Sequence, residues 1–195
     1  MKIIIVFVIL IFTYVSQSQE IYDALHPKKD EKRLLNNRVG LTYSILSGYG
    51  LTYLRQLDDK FSIKGQLFGF GKYESEPESY NENYLNLSVG AELQYNLIKH
   101  RTNRLYSLLG AYFVYDYNET SGWNSDYNSI YKYYNLGLGI GFESMLFSNI
   151  TVAVDGGYFG QYVKYLSENG SSINTLRSND IVFGFGIGVS LYYNF

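Results

Sequence analysis

Cysteine is absent from the 195 residues, so no disulfide frame can form and no thiolate metal site exists. With only two histidines, the usual structural zinc ligand sets are excluded as well. Proline occurs twice and tryptophan once. Neither sign of charge dominates: sixteen basic residues stand against eighteen acidic ones, which leaves no basic field for nucleic acid. Long apolar runs are missing too. The unbroken apolar stretch Ile3–Phe12 has ten residues, half of the ~20 that a membrane-spanning helix needs. Abundant instead are Tyr (22), Gly (19) and Phe (12). Tyr and Phe favour strands, whereas Gly weakens them. Glycines inside strand-like runs therefore point to a closed sheet with little side-chain room on one face.

The first residues read as an export address. Lys2 supplies a charged start, Ile3–Phe12 the apolar core, and Ser16-Gln17-Ser18 the small residues of a cleavage site. A signal peptide is expected over 1–18, and with no Cys behind it no lipid anchor is expected. Residues 19–37 carry four acids and four bases and read as a polar periplasmic leader. The length allows one further domain, 38–195.

From Arg38 onward the chain settles into strand-length runs with period-two alternation. Strands are expected near 38–47, 49–57, 61–73, 83–97, 104–117, 131–146, 150–166 and 180–195. The last shows the pattern best: Ile181, Phe183, Phe185, Ile187, Val189 and Leu191 share one face, opposite Val182, Gly184, Gly186, Gly188 and Ser190. The fourth sets Leu85, Leu87, Val89 and Leu93 against Asn86, Ser88, Gly90, Glu92 and Gln94, and the sixth sets Leu136, Leu138 and Ile140 against Gly137, Gly139 and Gly141. The second and fifth strands alternate poorly, and their facing stays open.

Bulk decides which face is outside. An eight-stranded barrel has room only for modest side chains within, so the Gly, Ser and Asn face belongs inside and the large apolar face outside. A water-facing exterior would also rarely be so poor in Lys and Glu. Aromatics gather near both sets of strand ends: Tyr73, Tyr84, Tyr115, Tyr117, Tyr131, Tyr133, Tyr162 and Tyr165 at one, and Phe61, Tyr95, Tyr106, Phe147, Tyr193 and Phe195 at the other. Two girdles are what the two interfaces of a bilayer select. Connections at 58–60, 98–103 and 148–149 are short, and those at 74–82, 118–130 and 167–179 are longer. This is the periplasmic and extracellular asymmetry of outer-membrane barrels. The connection near Ser47-Gly48 is tight. The expected fold is all-β: an eight-stranded antiparallel up-and-down transmembrane barrel.

The strand count, the turn asymmetry, the glycine rows and the closing Tyr192-Tyr193-Asn194-Phe195 resemble the OmpA/OmpX-type family of small outer-membrane barrels. The pattern over 38–195 is most similar to the outer membrane protein beta-barrel domain of Bacteroidetes-like bacteria. That resemblance implies residence in the cell outer membrane among its lipids, and a role for Phe195 as the signal read by the barrel-assembly machinery. The wall-tethering role of full-length OmpA is not implied, since no peptidoglycan-binding domain follows.

Charges in mid-strand are the next informative feature, because on the lipid face near the midplane a Lys or Arg costs about 2–4 kcal/mol. Lys64, Glu92, Glu143 and Asp155 fall on the inner face by parity. If Lys72 faces Tyr84, then Lys64 lies opposite Glu92. Glu143 is expected near Asp155, a like-charge neighbourhood that needs a cation, for which Arg55 is the candidate. The five would form either a satisfied polar network that locks the lumen or an ion path. The glycine runs at 137–141 and 184–188 mimic pieces of a dinucleotide fingerprint, but their strict spacing of two and the lack of a following helix make them lumen glycines. Outer-membrane lipid A deacylases and acyltransferases use a His near the outer leaflet. Here His26 falls in the leader and His100 in a short turn, so no enzyme is expected, and no cofactor or metal.

The long connections carry the remaining candidates. Glu74, Glu76 and Glu78 form an acidic cluster, suited to divalent cations or simply solvated. Trp123 lies among Ser, Asn, Gly and Tyr, the chemistry of recognition loops. The expected function is therefore a barrel with a plugged polar lumen and a structural or surface-interaction role toward an extracellular or host partner. Two alternatives remain: a narrow channel or transport or secretion accessory, and a soluble secreted barrel that binds an apolar ligand.

Overall fold

The computed structural model describes residues 37–76, 80–100, 102–122, 125–147, 149–169 and 172–195. The expected signal peptide and almost all of the leader, His26 included, lie outside the described residues. Eight strands follow one another: β1 (Asn37–Ser44), β2 (Gly48–Gln56), β3 (Phe61–Glu76), β4 (Tyr80–Lys99), β5 (Asn103–Gly122), β6 (Ser125–Phe147), β7 (Ile150–Asn169) and β8 (Ser172–Asn194). Each pairs antiparallel with the next, and β8 returns to β1, so the sheet closes as an up-and-down barrel.

Its wall is inside out. Leu41, Leu51, Leu67, Val89, Leu138 and Phe183 stand exposed on the outer surface, while Thr52, Lys64, Gln66, Glu92, Gln94 and Ser190 are buried within. An outer face built from contiguous apolar side chains around a polar interior belongs in hydrocarbon, where closure also leaves no unpaired strand edge. The fold is a transmembrane β-barrel.

The lengths of the strands are less uniform than the pattern predicts. About 9–11 tilted residues cross a bilayer. From β4 to β8 the strands have 20 to 23 residues. At ~3.3 Å per residue the longest reach roughly 75 Å along their own direction. The stretches 74–82, 118–130 and 167–179, expected as loops, are therefore mostly paired strand. The ladders run out to Glu76↔Tyr80, Gly122↔Ser125 and Asn169↔Ser172. Tyr, Thr and Ser in these stretches pair well across a ladder, and only two or three residues remain at each tip. Trp123 and Glu78 fall at such tips and lie outside the described residues.

The first hairpin is the opposite case. β1 and β2 have only eight and nine residues, and Ile45-Leu46-Ser47 between them folds into the barrel, where Leu46 and Ser47 are fully buried. Gly48 and Gly50 take φ of 105° and 129°, which other residues adopt only with strain, and this turns the chain inward. The glycines across the lumen make room for it. A Cβ on Gly110 would lie 2.7 Å from the Leu46 carbonyl oxygen, and one on Gly186 would lie 2.8 Å from the Ile45 Cβ. Part of the glycine row is thus the imprint of this turn.

Candidate functional site

The lumen is filled in tiers, beginning at the short-turn end with Arg104. Its Nε and Nη2 donate to Glu143 Oε2 at 2.9 and 2.7 Å, and Nη1 donates to Ser62 Oγ and Asn96 Oδ1, each at 3.0 Å. Nη2 also reaches Gln94 Oε1, and the guanidinium lies 4.7 Å over the Tyr106 ring. Arg38 pairs with the other Glu143 oxygen. One carboxylate therefore holds two cations, in a frame where the planar fork of Arg uses most of its donors.

Above this tier lie Lys64 and Glu92, register partners across β3 and β4, with Nζ 2.6 Å from Oε2 and both side chains fully buried. Gln94 donates to the second Glu92 oxygen. Asp155 stands on the other side and accepts from Ser44 Oγ at 2.9 Å, while its Oδ2 and the Tyr192 hydroxyl are buried without a hydrogen-bond partner. Among the described residues, the lumen charges below the inward turn are Arg38, which is partly buried, and the buried Lys64 and Arg104, against Glu92, Glu143 and Asp155.

The turn closes the column. Gln66 Nε2 donates to the Ser47 carbonyl at 2.9 Å and to its hydroxyl at 2.8 Å, and Asn135 Nδ2 donates to the Ile45 carbonyl at 2.9 Å. The Leu46 amide donates to Ser44 Oγ at 3.2 Å. Leu46 itself packs against Tyr106 and Leu108, with Phe159 alongside. Every backbone group of the turn named here has a partner supplied by the wall, as burial demands.

The predicted lumen residues separate accordingly. Lys64 and Glu92 meet. Glu143 and Asp155 do not: Glu143 lies opposite Ala153, and Asp155 opposite Gly141 and Gly188. Each has its own partners, so no shared cation is required between them. Arg55 is not a lumen residue at all. It lies on the exposed outer face of β2 next to the short turn, because Thr52, Leu54 and Gln56 take the inner parity. The lumen cations besides Lys64 are Arg104 and Arg38. Arg104 is the register partner of Glu143, but the ambiguous facing of the fifth strand hid it. Tyr106, expected in a girdle, is buried inside for the same reason. His100 is exposed at the short-turn end of β4.

The long-strand end carries a second arrangement. Tyr84, Tyr131, Tyr133 and Tyr165 share the inner parity, with Tyr131 4.6 Å from Tyr165 and stacked on Tyr133. Tyr49 donates to Asn86 at 2.9 Å, and Asn86 and Tyr84 both reach Asp116 Oδ2 at 3.4 Å. Of the acidic candidates, Glu74 is exposed and paired with Lys72 at 2.8 Å, and Glu76 closes the ladder opposite Tyr80. Phe195 is exposed, and its amide donates to the Asn37 carbonyl at 3.0 Å.

No protein-family model and no curated protein matches the sequence. Solved structures similar over most of the chain include the following three. A major outer membrane protein from Thermus thermophilus gives a TM-score of 0.44 at 10% identity, covering 80% of this chain and 99% of that one. Ail, the attachment invasion locus protein of Yersinia pestis, gives 0.42 at 15% identity, covering 82% and 96%. CarO of Acinetobacter baumannii gives 0.40 at 14% identity, covering 86% and 100%. These low TM-scores and identities transfer no function, and the assignment of a transmembrane barrel stands on the chain's own closed sheet and inverted wall.

Proposed function

We propose that the protein is an integral outer-membrane barrel with a plugged lumen, acting at the cell surface through its protruding hairpins. The observation that carries this reading is the inward turn Ile45–Ser47, bonded to the wall on three sides above a column of mutually paired charges. A channel reading would need a continuous wet path, and Leu46, Tyr106 and Leu108 pack across it. A soluble ligand-binding barrel would need its apolar face inside. Long β-ribbons beyond the bilayer, rich in Tyr, Asn and Ser, offer contact area and adaptable hydrogen bonding to an extracellular partner. No catalytic role is assigned. Outer-membrane lipids are the surrounding partners, and Phe195 is the natural handle for the assembly machinery.

Conductance tests the plug. The purified protein reconstituted in a planar bilayer should show no steady openings, and a stable unitary current would overturn the reading. Replacing residues 118–130 by a two-residue turn should leave the difference in gel mobility between boiled and unboiled samples intact. Loss of that difference would show that the hairpins build the barrel rather than serve a surface role.

A further inference from the structure

The short first hairpin leaves the wall incomplete. Pairing of β8 with β1 ends at Ser44↔Gly188, followed by one bond from the Ile45 amide to the Ile187 carbonyl, and pairing of β3 with β2 ends at Leu51↔Leu67. Among the described residues, β8 pairs only with β7 from Gly186 upward, and β3 only with β4 from Phe68 upward. Two strands are missing between these edges. The opening is about three strand spacings wide, roughly 14 Å at ~4.8 Å each.

Its height is fixed by the flanking residues. Beyond Gly188 the outer face of β8 continues with Ile187, Phe185, Phe183 and Ile181, all exposed, and Phe183 is 80% exposed. Eight residues of β1 also fall short of the 9–11 needed to cross the bilayer. The notch therefore begins below the outer boundary of the hydrocarbon. Two requirements meet there. Strand edges facing hydrocarbon need hydrogen-bonding partners, which acyl chains do not supply. Phe68, Phe70 and Val182, on the inner parity yet exposed, need apolar cover that water does not supply.

An amphiphile meets both requirements, and the surroundings are laid out for one. On the outer wall below the notch a groove of about 440 Å³ runs between Leu41, Leu51, Leu67 and Phe68, open at Gly69, while Gly50 packs directly on the Leu67 backbone. Tyr49 joins it to the interior: it lines the groove and lies 5.4 Å from the Phe68 ring, while its hydroxyl donates to Asn86. Behind it lie Tyr84 and Asp116. The acid there disfavours an anionic head, and the nearby base Lys72 is already paired with Glu74.

We propose that this notch is a lateral binding site for a long-chain amphiphile with an uncharged, hydroxyl-bearing head. The tail lies in the groove at Leu41, Leu51 and Leu67, and the head passes between Phe68 and Val182 to the Tyr49, Asn86 and Asp116 cluster. The inference rests on the membrane reading, and its test separates the two. The full-length protein in lipid vesicles is irradiated with an alkyl maltoside carrying a diazirine in its chain near the head, and adducts are mapped by mass spectrometry. Labelling on the inner-parity rim, at Phe68, Phe70 or Val182, is expected to exceed that at Leu138 and Leu109 on the far outer wall at least five-fold. Gly69→Trp, which fills the groove where only the flexible Leu87 side chain is close, should cut rim labelling at least five-fold. Phe70→Asn, at a half-exposed position, should do the same if the tryptophan variant fails to fold. Equal labelling of rim and far wall would overturn the site while leaving the membrane reading intact. A fatty acid probe that labels the rim as strongly as the maltoside would overturn the choice of head. Failure of the protein to enter vesicles at all would overturn the membrane reading instead.

Discussion

Glu143 offers the sharpest test of the lumen because one carboxylate is the paired counter-charge of two guanidinia. Arg104 directs two N–H groups at one oxygen and Arg38 occupies the other, and the side-chain exposures of the three are 5, 11 and 6% for Arg104, Arg38 and Glu143. Glu143→Gln keeps the shape and one acceptor oxygen, so it removes charge and little else. Breaking one partner of a buried ion pair costs about 3–5 kcal/mol, since an uncompensated charge is left behind. Two cations lose their counter-charge here, but Arg38 is close enough to the rim to recruit water. The expected loss is then about 4 kcal/mol, nearly three decades in the folding equilibrium at ~1.4 kcal/mol per decade. Reversible urea unfolding in vesicles, followed by circular dichroism and by gel mobility, measures it. Arg55→Ala, on the outer surface, should stay within about 0.5 kcal/mol of the parent. A Glu143→Gln variant within 1 kcal/mol of the parent, or an Arg55→Ala variant as destabilised as it, would refute the assignment of lumen cations.

Other perturbations probe the turn. Gly137→Ala puts a methyl 2.5 Å from the Leu46 carbonyl oxygen and should cost about 1–3 kcal/mol by overpacking, whereas Gly65→Ala, with open space around its Cβ, should be neutral or stabilising in the same urea assay. Leu46→Ala should lose about 2–5 kcal/mol through the cavity it leaves, yet bilayer recordings should stay silent, because Lys64, Gln94 and Arg104 still fill the lumen beneath. In the exposed 57–60 turn, Asp58 accepts from the Phe61 and Lys60 amides at 2.7 Å, and these bonds hold its carboxyl below the ordinary value of 3.8. A depressed folded value means that the contribution is complete above about pH 4 and is lost as pH falls through the folded value. Hydrogen exchange at Lys60 and Phe61 should therefore quicken, relative to the intrinsic rate, only in acid. In Asp58→Ala it should be fast at every pH, and equal protection in both proteins would refute the role.

Alternation carried most of the fold. Where one face is lipid and the other a narrow lumen, as in β4, β6 and β8, large and small side chains must take turns, and that pattern is visible in the letters. It fails in β2 and β5 for a physical reason. Leu54 packs inside with Ala153 and Tyr192, and Tyr106 and Leu108 pack inside with Leu46, so large apolar side chains stand on the inner face as well as the outer one and the contrast between the faces disappears. Lys64 and Glu92 were legible because one register assumption fixed them. Arg104 was not, since its strand had no readable face, and Arg55 was assigned inward for the same want of parity. The ribbons beyond the bilayer were misread as loops because, with water on every side, neither face carries a hydrophobic signal.

The inward turn and the notch have one cause. The first hairpin is short, its β1 of eight residues falling below the 9–11 that cross a bilayer, so its tip ends within the bilayer, where exposed turn carbonyls and amides are costly. Folding the tip into the lumen satisfies those groups through Gln66, Asn135 and Ser44, and the glycines of β4, β5, β6 and β8 provide the space. The same manoeuvre withdraws two strands from the wall and exposes the edges of β3 and β8. Lengthening the hairpin should therefore act on both at once. Inserting two alternating pairs, Thr-Leu after Tyr43 and Thr-Leu after Tyr49, would carry the ladder upward past Gly188 and Leu67. If the tip then leaves the lumen, the barrel should lose the stabilisation read by Leu46→Ala, and rim labelling by the maltoside probe should fall together with it. Should the two readouts change independently, the plug and the notch would be separate features and the argument from hairpin length would be wrong.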